Sequence, residues 1–270
     1  MTRIAVALCA ILALAALTGC ESMQKTWNTT WMSSKGYYKD YINPDPKIDL
    51  AQLGYTSTEE KLAKLFTPVD KPVADLAVYL NRVDTFPGEK WVVGLKQRFP
   101  WINGLVIATL DGTIVAKMPE ESMKPLNIQP ILDYGDALRD RRLRSFTDQT
   151  PLGNEMYLGT AMFKGNELVG AIIVHFDPRS VIEFCPVPQE LLVLTPEFVI
   201  WNGGNSTLAD DLLARPWGEL LTNDVRGRVD ANGTEYAWLS RYVGDNQMVY
   251  LTEVAPPREG GDDDSFLWFF

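Results

Sequence analysis

The feature of this sequence that most constrains its fold is a pair of β-hairpins. The first spans Gly104 to Met118 and turns at Asp111-Gly112, and the second spans Met156 to Asp177 and turns at Lys164-Gly165-Asn166. Asp-Gly supplies residues that adopt positive φ, which predicts a type I′ turn in the first hairpin. The segment between the hairpins has the pattern of a turn, a helix and an arginine-rich stretch. We therefore expect a small antiparallel sheet with one face free to cover a pocket.

A long amphipathic helix is predicted ahead of the hairpins. Ser57-Thr58-Glu59-Glu60 has the pattern of a capping box, which marks a helix start. Apolar residues then recur at steps of three and four from Leu62 to Val83, as on the buried stripe of a helix. Pro68 and Pro72 lie within this stripe and lack the N–H of a helix interior. They predict a kink, or two helices end to end.

The same order of elements recurs in the second half of the chain. A hairpin is predicted from Leu191 to Trp201, then a helix capped by Thr207, a hairpin turned at Asn232-Gly233, and a last strand from Gln247 to Val254. The order β-β, α, β-β-β thus occurs twice, which indicates two related modules despite little residue identity between them. The predicted fold class is α+β, with a long N-terminal helix followed by two modules that have antiparallel sheets.

The N-terminus carries a secretion signal. A positive Arg3 precedes an apolar run from Ile4 to Leu17 that is too short to span a membrane. The run ends at Leu17-Thr18-Gly19-Cys20, which resembles the lipobox of bacterial lipoproteins. The resemblance implies that residues 1–19 are removed, that Cys20 is lipidated, and that its acyl chains anchor the protein in a membrane. The alternative is an ordinary cleaved signal with a chance cysteine.

The residue after Cys20 bears on where the protein resides. It is Glu21 and not the aspartate that retains lipoproteins in the inner membrane, so the resemblance favours the periplasmic face of the outer membrane. Residues 20–56 are then expected to form a lipidated tether.

Composition limits the partners and the covalent chemistry of the chain. The formal net charge is -10, and an acidic body repels nucleic acid, so nucleic-acid binding is excluded. Of the three cysteines, Cys9 lies in the signal and Cys20 is the lipidation site, which leaves Cys185 without a disulfide partner. We expect Cys185 to be a small buried residue and not a reactive thiol.

Catalytic signatures are lacking in the sequence. HExxH, GxSxG, GxGxxG, Walker and paired-cysteine motifs do not occur, and His175 is the single histidine. We therefore predict that the protein is not an enzyme and has neither a cofactor nor a metal site. The run Asp262–Asp264 is interpreted as part of a solvated tail and not as a cation site. A hydrolase with a dispersed site remains the second alternative for the function.

Three stretches resemble the double Cache family of extracytoplasmic sensor domains, which have a PAS-like fold. They are Arg98–Ile102 before the first strand, Thr109–Val115 in the first hairpin and Lys164–Asp177 in the second. The resemblance implies a membrane-distal module with a small-molecule pocket at residues 57–184, a smaller membrane-proximal module at 185–255, and a tail at 256–270. Sensors of this family usually continue into a transmembrane helix and a cytoplasmic output, which this sequence does not show.

The arginine-rich stretch between the hairpins has two interpretations. It is a solvated helix end paired with Asp136, Asp140 and Asp148, or its guanidinium groups bind a carboxylate of a small organic ligand. In family members that bind amino acids, a Trp-Tyr pair precedes the third strand and an aspartate ends the first module. Asp177 matches the aspartate, whereas Leu143–Phe146 replaces the pair. The candidate ligand-binding residues are Arg139, Arg141, Arg142, Arg144, Tyr134, Tyr157, Trp101, Met162, His175 and Asp177.

These patterns together predict a lipid-anchored, periplasmic small-molecule-binding protein of the sensor type, without its own transmembrane output. The first alternative is an accessory lipoprotein that binds a protein partner in an envelope complex and whose pocket has degenerated.

Overall fold

The computed structural model describes residues 54, 55 and 57–254. The predicted signal peptide, Cys20, most of the tether and the tail lie outside these residues. Two five-stranded antiparallel sheets and a long leading helix make up most of the described chain, which confirms the predicted α+β fold class. In this part of the chain, no helix has the length and apolar character needed to cross a membrane.

The leading helix, α1, runs from Thr58 to Leu80. Ser57 is its N-cap, and the Ser57 hydroxyl accepts a hydrogen bond from the backbone N–H of Glu60 at 3.2 Å, which confirms the predicted start. Pro68 and Pro72 both lie inside one helix instead of dividing it in two. Each proline removes one backbone hydrogen bond, but the buried stripe continues on both sides of them and holds the helix together. Helix α2, Glu89–Arg98, follows.

The first sheet contains both hairpins, and its strand order is β2-β1-β5-β4-β3. Its strands are β1 Gly104–Thr109, β2 Ile114–Met118, β3 Arg144–Thr150, β4 Gly153–Lys164 and β5 Glu167–Phe176. Between β2 and β3 the chain forms two short helices where a single helix was predicted. They are α3, Gln129–Leu132, and a 3₁₀ helix, Gly135–Asp140.

The Asp-Gly turn of this sheet and the Asn-Gly turn of the second half of the chain differ in geometry. In the first hairpin Gly112 has positive φ but Asp111 does not, so the predicted type I′ turn is wrong. The Asp111 carboxylate instead accepts a hydrogen bond from the backbone N–H of Thr113 at 3.0 Å, which stabilises a longer loop. Asn232 and Gly233 both have positive φ, as a type I′ turn requires.

The second sheet repeats the topology of the first, and its order is β7-β6-β10-β9-β8. When each set of strands is numbered from its own first strand, both orders become 2-1-5-4-3, which confirms the predicted recurrence. The chain reaches this sheet through α4, Arg179–Ile182, and a 3₁₀ helix, Pro188–Glu190. The remaining elements are β6 Leu192–Leu194, β7 Val199–Trp201, α5 Ser206–Leu213, α6 Trp217–Asn223, β8 Arg226–Ala231, β9 Thr234–Val243 and β10 Asn246–Glu253.

Helix α5 begins earlier than predicted. Its N-cap is Asn205, whose side-chain oxygen accepts a hydrogen bond from the Leu208 backbone N–H at 3.1 Å, and Thr207 lies inside the helix. Asparagine is at least as good a cap as threonine, so the earlier residue is used. Helix α6 was not predicted.

The two faces of the first sheet have different neighbours. On one, the helix face, residues of β1, β4 and β5 pack with α1 in a core cluster that also contains Met248 and Tyr250 of the second sheet. On the other, the outer face, Val106, Tyr157 and Ile173 pack under the segment between β2 and β3. Because one cluster joins both sheets, the boundary between residues 184 and 185 remains a prediction.

Two further features of the core cluster on the helix face are a buried cysteine and a small void. Cys185 is free and buried, and burial raises the pKa of its thiol to about 12, which agrees with an unreactive packing residue. A void of about 20 Å³ lies between α1 and the two sheets, lined by apolar side chains such as Val73, Phe176 and Met248.

Candidate functional site

A group of charged side chains lies on the outer face of the first sheet, where β4 begins and β5 ends, and all of them except Arg179 are largely buried. We call it the charged cluster. It consists of Lys124, Glu155, His175, Asp177 and Arg179, with Asn103 beside them. Burying charges costs free energy unless each is paired and hydrogen-bonded, so such a group is a candidate for function.

Glu155 is the most buried carboxylate of the charged cluster, at 1% exposure. It accepts hydrogen bonds from the side-chain amide of Asn103 at 2.9 and 3.0 Å, and Lys124 Nζ lies 3.0 Å from its second oxygen. His175 Nδ1 lies 2.6 Å from the first. Burial alone would raise the pKa of Glu155, but these donors outweigh it and hold the pKa below its ordinary value. The carboxylate is therefore ionised at neutral pH.

Asp177 follows the last residue of β5. Its carboxylate accepts hydrogen bonds from Lys124 Nζ at 2.6 Å, from Arg179 Nε at 3.0 Å and from the Arg179 backbone N–H at 2.9 Å. Burial alone would raise the pKa of Asp177, but the hydrogen bonds from Arg179 and Lys124 outweigh this effect and hold the pKa below its ordinary value. Asp177 is thus a second buried anion next to Glu155.

Lys124 joins these two carboxylates. It belongs to residues 119–128, which connect β2 to α3 and which we call the covering segment. Besides Glu155 and Asp177, its ammonium donates to the backbone carbonyl of Asn154 at 2.6 Å. An ammonium has three N–H donors, so all three are used.

His175 is the sequence-predicted histidine, and it is buried on the outer face. Its Nδ1 contacts Glu155, so in the neutral ring Nδ1 carries the proton and Nε2 keeps its lone pair. Within the described part of the chain, Nε2 has no hydrogen-bond partner. The ring stacks on Tyr157 at 5.5 Å between centroids, and Tyr157 stacks on Phe146 at 4.7 Å.

Tyr157 attaches the covering segment to the sheet. Its hydroxyl accepts a hydrogen bond from the Asn127 backbone N–H at 3.2 Å and donates to the Pro125 carbonyl at 3.4 Å. Burial raises the pKa of Tyr157 to about 12, so the hydroxyl keeps its proton. Tyr157, His175 and Asp177 are thus the predicted residues that lie at the charged cluster or against it.

Three of the four predicted arginines point to solvent. The side chains of Arg139, Arg141 and Arg142 are 52%, 56% and 79% exposed, and they form ion pairs with Asp136, Asp84 and Asp140 respectively. These contacts agree with the interpretation as a solvated helix end.

Arg144 differs from its neighbours because its side chain is only 9% exposed. Its guanidinium lies 4.4 Å above the ring of Tyr134 and pairs with Asp140 at 2.5 Å and Asp245 at 3.4 Å. Tyr134 donates its hydroxyl hydrogen to Asp245 at 3.0 Å, which connects this pair to the turn before β10. Arg144 and Tyr134 are therefore occupied by carboxylates of the chain itself.

Trp101 and Met162 require a correction. Both were predicted to line one pocket with Tyr157, but both belong to the core cluster on the helix face, whereas Tyr157 is on the outer face. Trp101 packs edge-on against Phe176 at 4.9 Å. Successive side chains of a strand alternate between faces, and the odd spacing between Tyr157 and Met162 places them on opposite sides of β4.

Sequence reasoning did not identify Glu155, Lys124, Asn103 or Arg179. A signal existed for Glu155, because its even spacing from Tyr157 places it on the same face of β4. None existed for Lys124, which lies in an irregular segment. Among the described residues, no three His, Cys, Asp or Glu side chains are grouped so as to hold a metal ion.

Comparison with known proteins finds similarity in structure but not in sequence. No protein-family model and no curated protein matches the chain. The ligand-binding domain of the Pseudomonas fluorescens chemoreceptor CtaA, in complex with L-leucine, matches with 9% identity and a TM-score of 0.47, over 84% of this chain and 97% of that one. The ligand-binding domain of the Pseudomonas aeruginosa PAO1 amino acid chemoreceptor PctC, in complex with GABA, matches with 14% identity and a TM-score of 0.44, over 76% of this chain and 99% of that one.

A third similar structure is an extracellular ligand binding receptor from Desulfohalobium retbaense DSM5692. It has 15% identity and a TM-score of 0.46, over 73% of this chain, which spans only 39% of that protein. These solved structures are extracellular ligand-binding domains. Because the identities and TM-scores are low, we draw the function from this chain's own residues.

Proposed function

We propose that this chain is a lipid-anchored, periplasmic protein that binds a small organic molecule at the charged cluster. The observation that supports a binding site there is the burial of two ionised carboxylates, Glu155 and Asp177, at one end of the sheet. Replacing buried ion pairs by apolar residues is often neutral or stabilising, so stability alone does not account for such a cluster. His175 adds a buried acceptor, Nε2, without a partner in the described chain.

The chemistry of the cluster favours a ligand that brings positive charge or hydrogen-bond donors. Glu155 and Asp177 accept hydrogen bonds, and His175 Nε2 is an acceptor without a partner in the described chain. A ligand carboxylate is less well served, because Arg144 is already paired with Asp140 and Asp245. The stacked rings of Tyr157 and Phe146 supply the apolar surface that a small organic molecule needs.

A thermal-shift screen of the mature protein against amines, amino acids and organic acids tests this proposal. A ligand in hundredfold excess over its Kd stabilises the folded state by about 2.7 kcal/mol. We expect a stabilising compound whose effect is lost in Asp177→Asn and retained in Asp136→Asn, an exposed carboxylate outside the charged cluster. Equal stabilisation of both variants would mean that the compound binds outside the charged cluster. A screen in which no compound stabilises the protein would contradict ligand binding.

The anchor is tested separately from the ligand. We expect the wild-type protein to incorporate labelled palmitate and to fractionate with outer membranes. Cys20→Ser should abolish the label and release the protein into the periplasmic fraction, whereas Cys185→Ser should change neither. Soluble, unlabelled wild-type protein would contradict lipidation.

The second candidate function is that of an accessory protein that binds a protein partner and whose pocket has degenerated. The observation that favours it is that Lys124 already satisfies both buried carboxylates. It predicts that the screen finds no ligand, while crosslinking in intact cells yields one defined envelope partner. The hydrolase alternative is disfavoured, since among the described residues no serine, threonine or cysteine is hydrogen-bonded to His175 Nε2.

A further inference from the structure

We propose that Lys124 is a built-in ammonium that occupies the ligand position of the charged cluster and is displaced by a primary ammonium compound. This inference rests on the proposed function, because it concerns the same site. It adds the chemical class of the ligand and a way in which binding changes the protein surface.

The first argument is the coordination of the Lys124 ammonium. Its three acceptors are one oxygen of Asp177 at 2.6 Å, one oxygen of Glu155 at 3.0 Å and the Asn154 carbonyl at 2.6 Å. Three acceptors from three residues form a complete binding site for any group of the form R–NH₃⁺. The rest of the sheet therefore provides an ammonium site that does not depend on the lysine's being part of the chain.

The second argument is the charge balance. Two carboxylates, Glu155 and Asp177, face two cations, Lys124 and Arg179. Removing the Lys124 ammonium takes away the cation that contacts both carboxylates. An unpaired buried charge is strongly unfavourable, so the open site requires another cation. An anion or a neutral molecule does not restore the balance.

The third argument is the attachment of the covering segment. The segment has no helix or strand, and Met123, beside Lys124, is 94% exposed. The Ser122 hydroxyl is buried without a hydrogen-bond partner in the described chain, so the fit of the segment is incomplete. Beyond Lys124, it is held by Leu126 and Ile128 against the outer face and by Tyr157. Release of Lys124 frees the end of the segment that carries Met123, which alters an exposed surface when ligand binds.

Chemical rescue tests the proposal. Lys124→Ala removes the ammonium together with three of the four stem carbons, which vacates the space that the nitrogen and first three carbons of n-butylammonium would take. We expect Lys124→Ala to melt at a lower temperature than wild type and n-butylammonium chloride to restore several degrees. Sodium chloride and n-butanol at equal concentration should not restore the melting temperature. Sodium ion lacks the N–H donors, and n-butanol lacks the positive charge. Tetramethylammonium, a cation without N–H groups, should fail as well.

Two control variants sharpen the rescue. Lys124→Met keeps an apolar stem in place, so it should lose stability but gain little from n-butylammonium. Lys71→Ala removes an exposed lysine paired with Asp75 and should show neither the loss nor the rescue. A folded Lys124→Ala protein that responds equally to n-butylammonium and sodium would overturn the proposal.

A second measurement uses the wild-type protein and serves if Lys124→Ala does not fold. Hydrogen exchange of the covering segment is compared in n-butylammonium chloride and in sodium chloride of equal ionic strength. Faster exchange at Asn127, whose N–H bonds to Tyr157, supports displacement of Lys124, and unchanged exchange overturns it. If n-butylammonium rescues Lys124→Ala but the screen finds no ligand for wild type, the ammonium site is supported and the proposed function is contradicted. If the screen finds a ligand whose effect requires Asp177 but n-butylammonium does not rescue Lys124→Ala, the proposed function is supported and the ammonium site is contradicted.

Discussion

Glu155 and Asp177 are carboxylates that the fold buries and still keeps ionised, and this has a consequence for acid stability. Their folded-state pKa values lie below the ordinary 4.5 and 3.8, so the unfolded chain binds more protons as the pH falls. The stability that they contribute is fully present above those ordinary values and is lost as the pH falls through the lower folded values.

We therefore expect the melting temperature of wild type to fall steeply below about pH 4.5. Glu155→Gln and Asp177→Asn should each be less stable at pH 7 and have a shallower slope over the acid range. Melting curves recorded from pH 7 to the acid limit check this, with Asp136→Asn as the control that keeps the wild-type slope. Parallel curves for all four proteins would refute the assignment.

Gly104, the first residue of β1, is fixed by its neighbours. A Cβ at this position would overlap the ring nitrogen Nε2 of His175 and lie 2.7 Å from the Met118 carbonyl oxygen. Overpacking of this kind costs about 1–3 kcal/mol.

We expect Gly104→Ala to lower the free energy of unfolding by that amount in chemical denaturation. Gly218→Ala is the matched control, because a Cβ at Gly218 of α6 meets nothing within 4 Å. That substitution should be neutral or slightly stabilising in a helix. In a His175→Ala background the cost of Gly104→Ala should shrink, since one of its two obstacles is gone. An unchanged cost would assign the whole effect to the Met118 carbonyl.

At the scale of elements, helix α1 depends on its first turn. The Ser57 hydroxyl accepts a hydrogen bond from the Glu60 N–H, one of the first-turn N–H groups that the helix backbone does not satisfy by itself. Ser57→Ala should cost about 1 kcal/mol of stability, and Ser57→Asp should restore it. Denaturant titrations of the three proteins measure this. Equal midpoints for all three proteins would show that the cap contributes nothing.

The helix caps and turns also show which local features can be predicted from neighbouring residues in the sequence. The capping box at Ser57 and the Asn232-Gly233 turn were read correctly, because both depend on residues a few positions apart. Thr207 was predicted as the cap where the structure uses Asn205, and the type I′ turn predicted at Asp111-Gly112 is wrong. At the cap, asparagine is at least as good as threonine, and at the turn the Asp111 carboxylate accepts a hydrogen bond from the Thr113 N–H that stabilises a longer loop.

At the scale of the whole molecule, α1 joins the two modules. Its buried residues, Leu76 among them, pack in the cluster that contains Phe176 of the first sheet and Tyr250 of the second. Edge contacts add to this connection, since Ser145 of β3 donates to the Val243 carbonyl and Asn246 contacts Thr147 at 2.7 Å. We infer that the modules unfold together when α1 is weakened.

Leu76→Ala should lower stability by about 2–5 kcal/mol. Hydrogen exchange should then accelerate in β5 and in β10 by similar factors. Leu212→Ala is the control, because Leu212 is equally buried but belongs to a separate cluster of the second module with Trp217 and Trp238. It should loosen the second sheet more than the first. Protection lost in β5 alone after Leu76→Ala would mean that the modules are independent.

Local sequence patterns predicted most of the elements and their order, though not α6 or the division of the helix between β2 and β3. Alternating and helical periodicities, turn residues and caps are local, so they predicted the hairpins, α1 and the repeated β-β, α, β-β-β order that the two sheets share. The same local rules favoured a solvated end for Arg139 and its neighbours as one of two interpretations.

Which distant side chains meet depends on the three-dimensional arrangement of the strands and of the segments that connect them. Lys124 is separated by 31 positions from Glu155 and by 53 from Asp177, and no periodicity relates an irregular segment to the ends of two strands. Their meeting follows from the strand order, which brings β4 and β5 together, and from the covering segment's path across the outer face. The sheet also separates Trp101 and Met162 from Tyr157, because its two faces are packed against different partners.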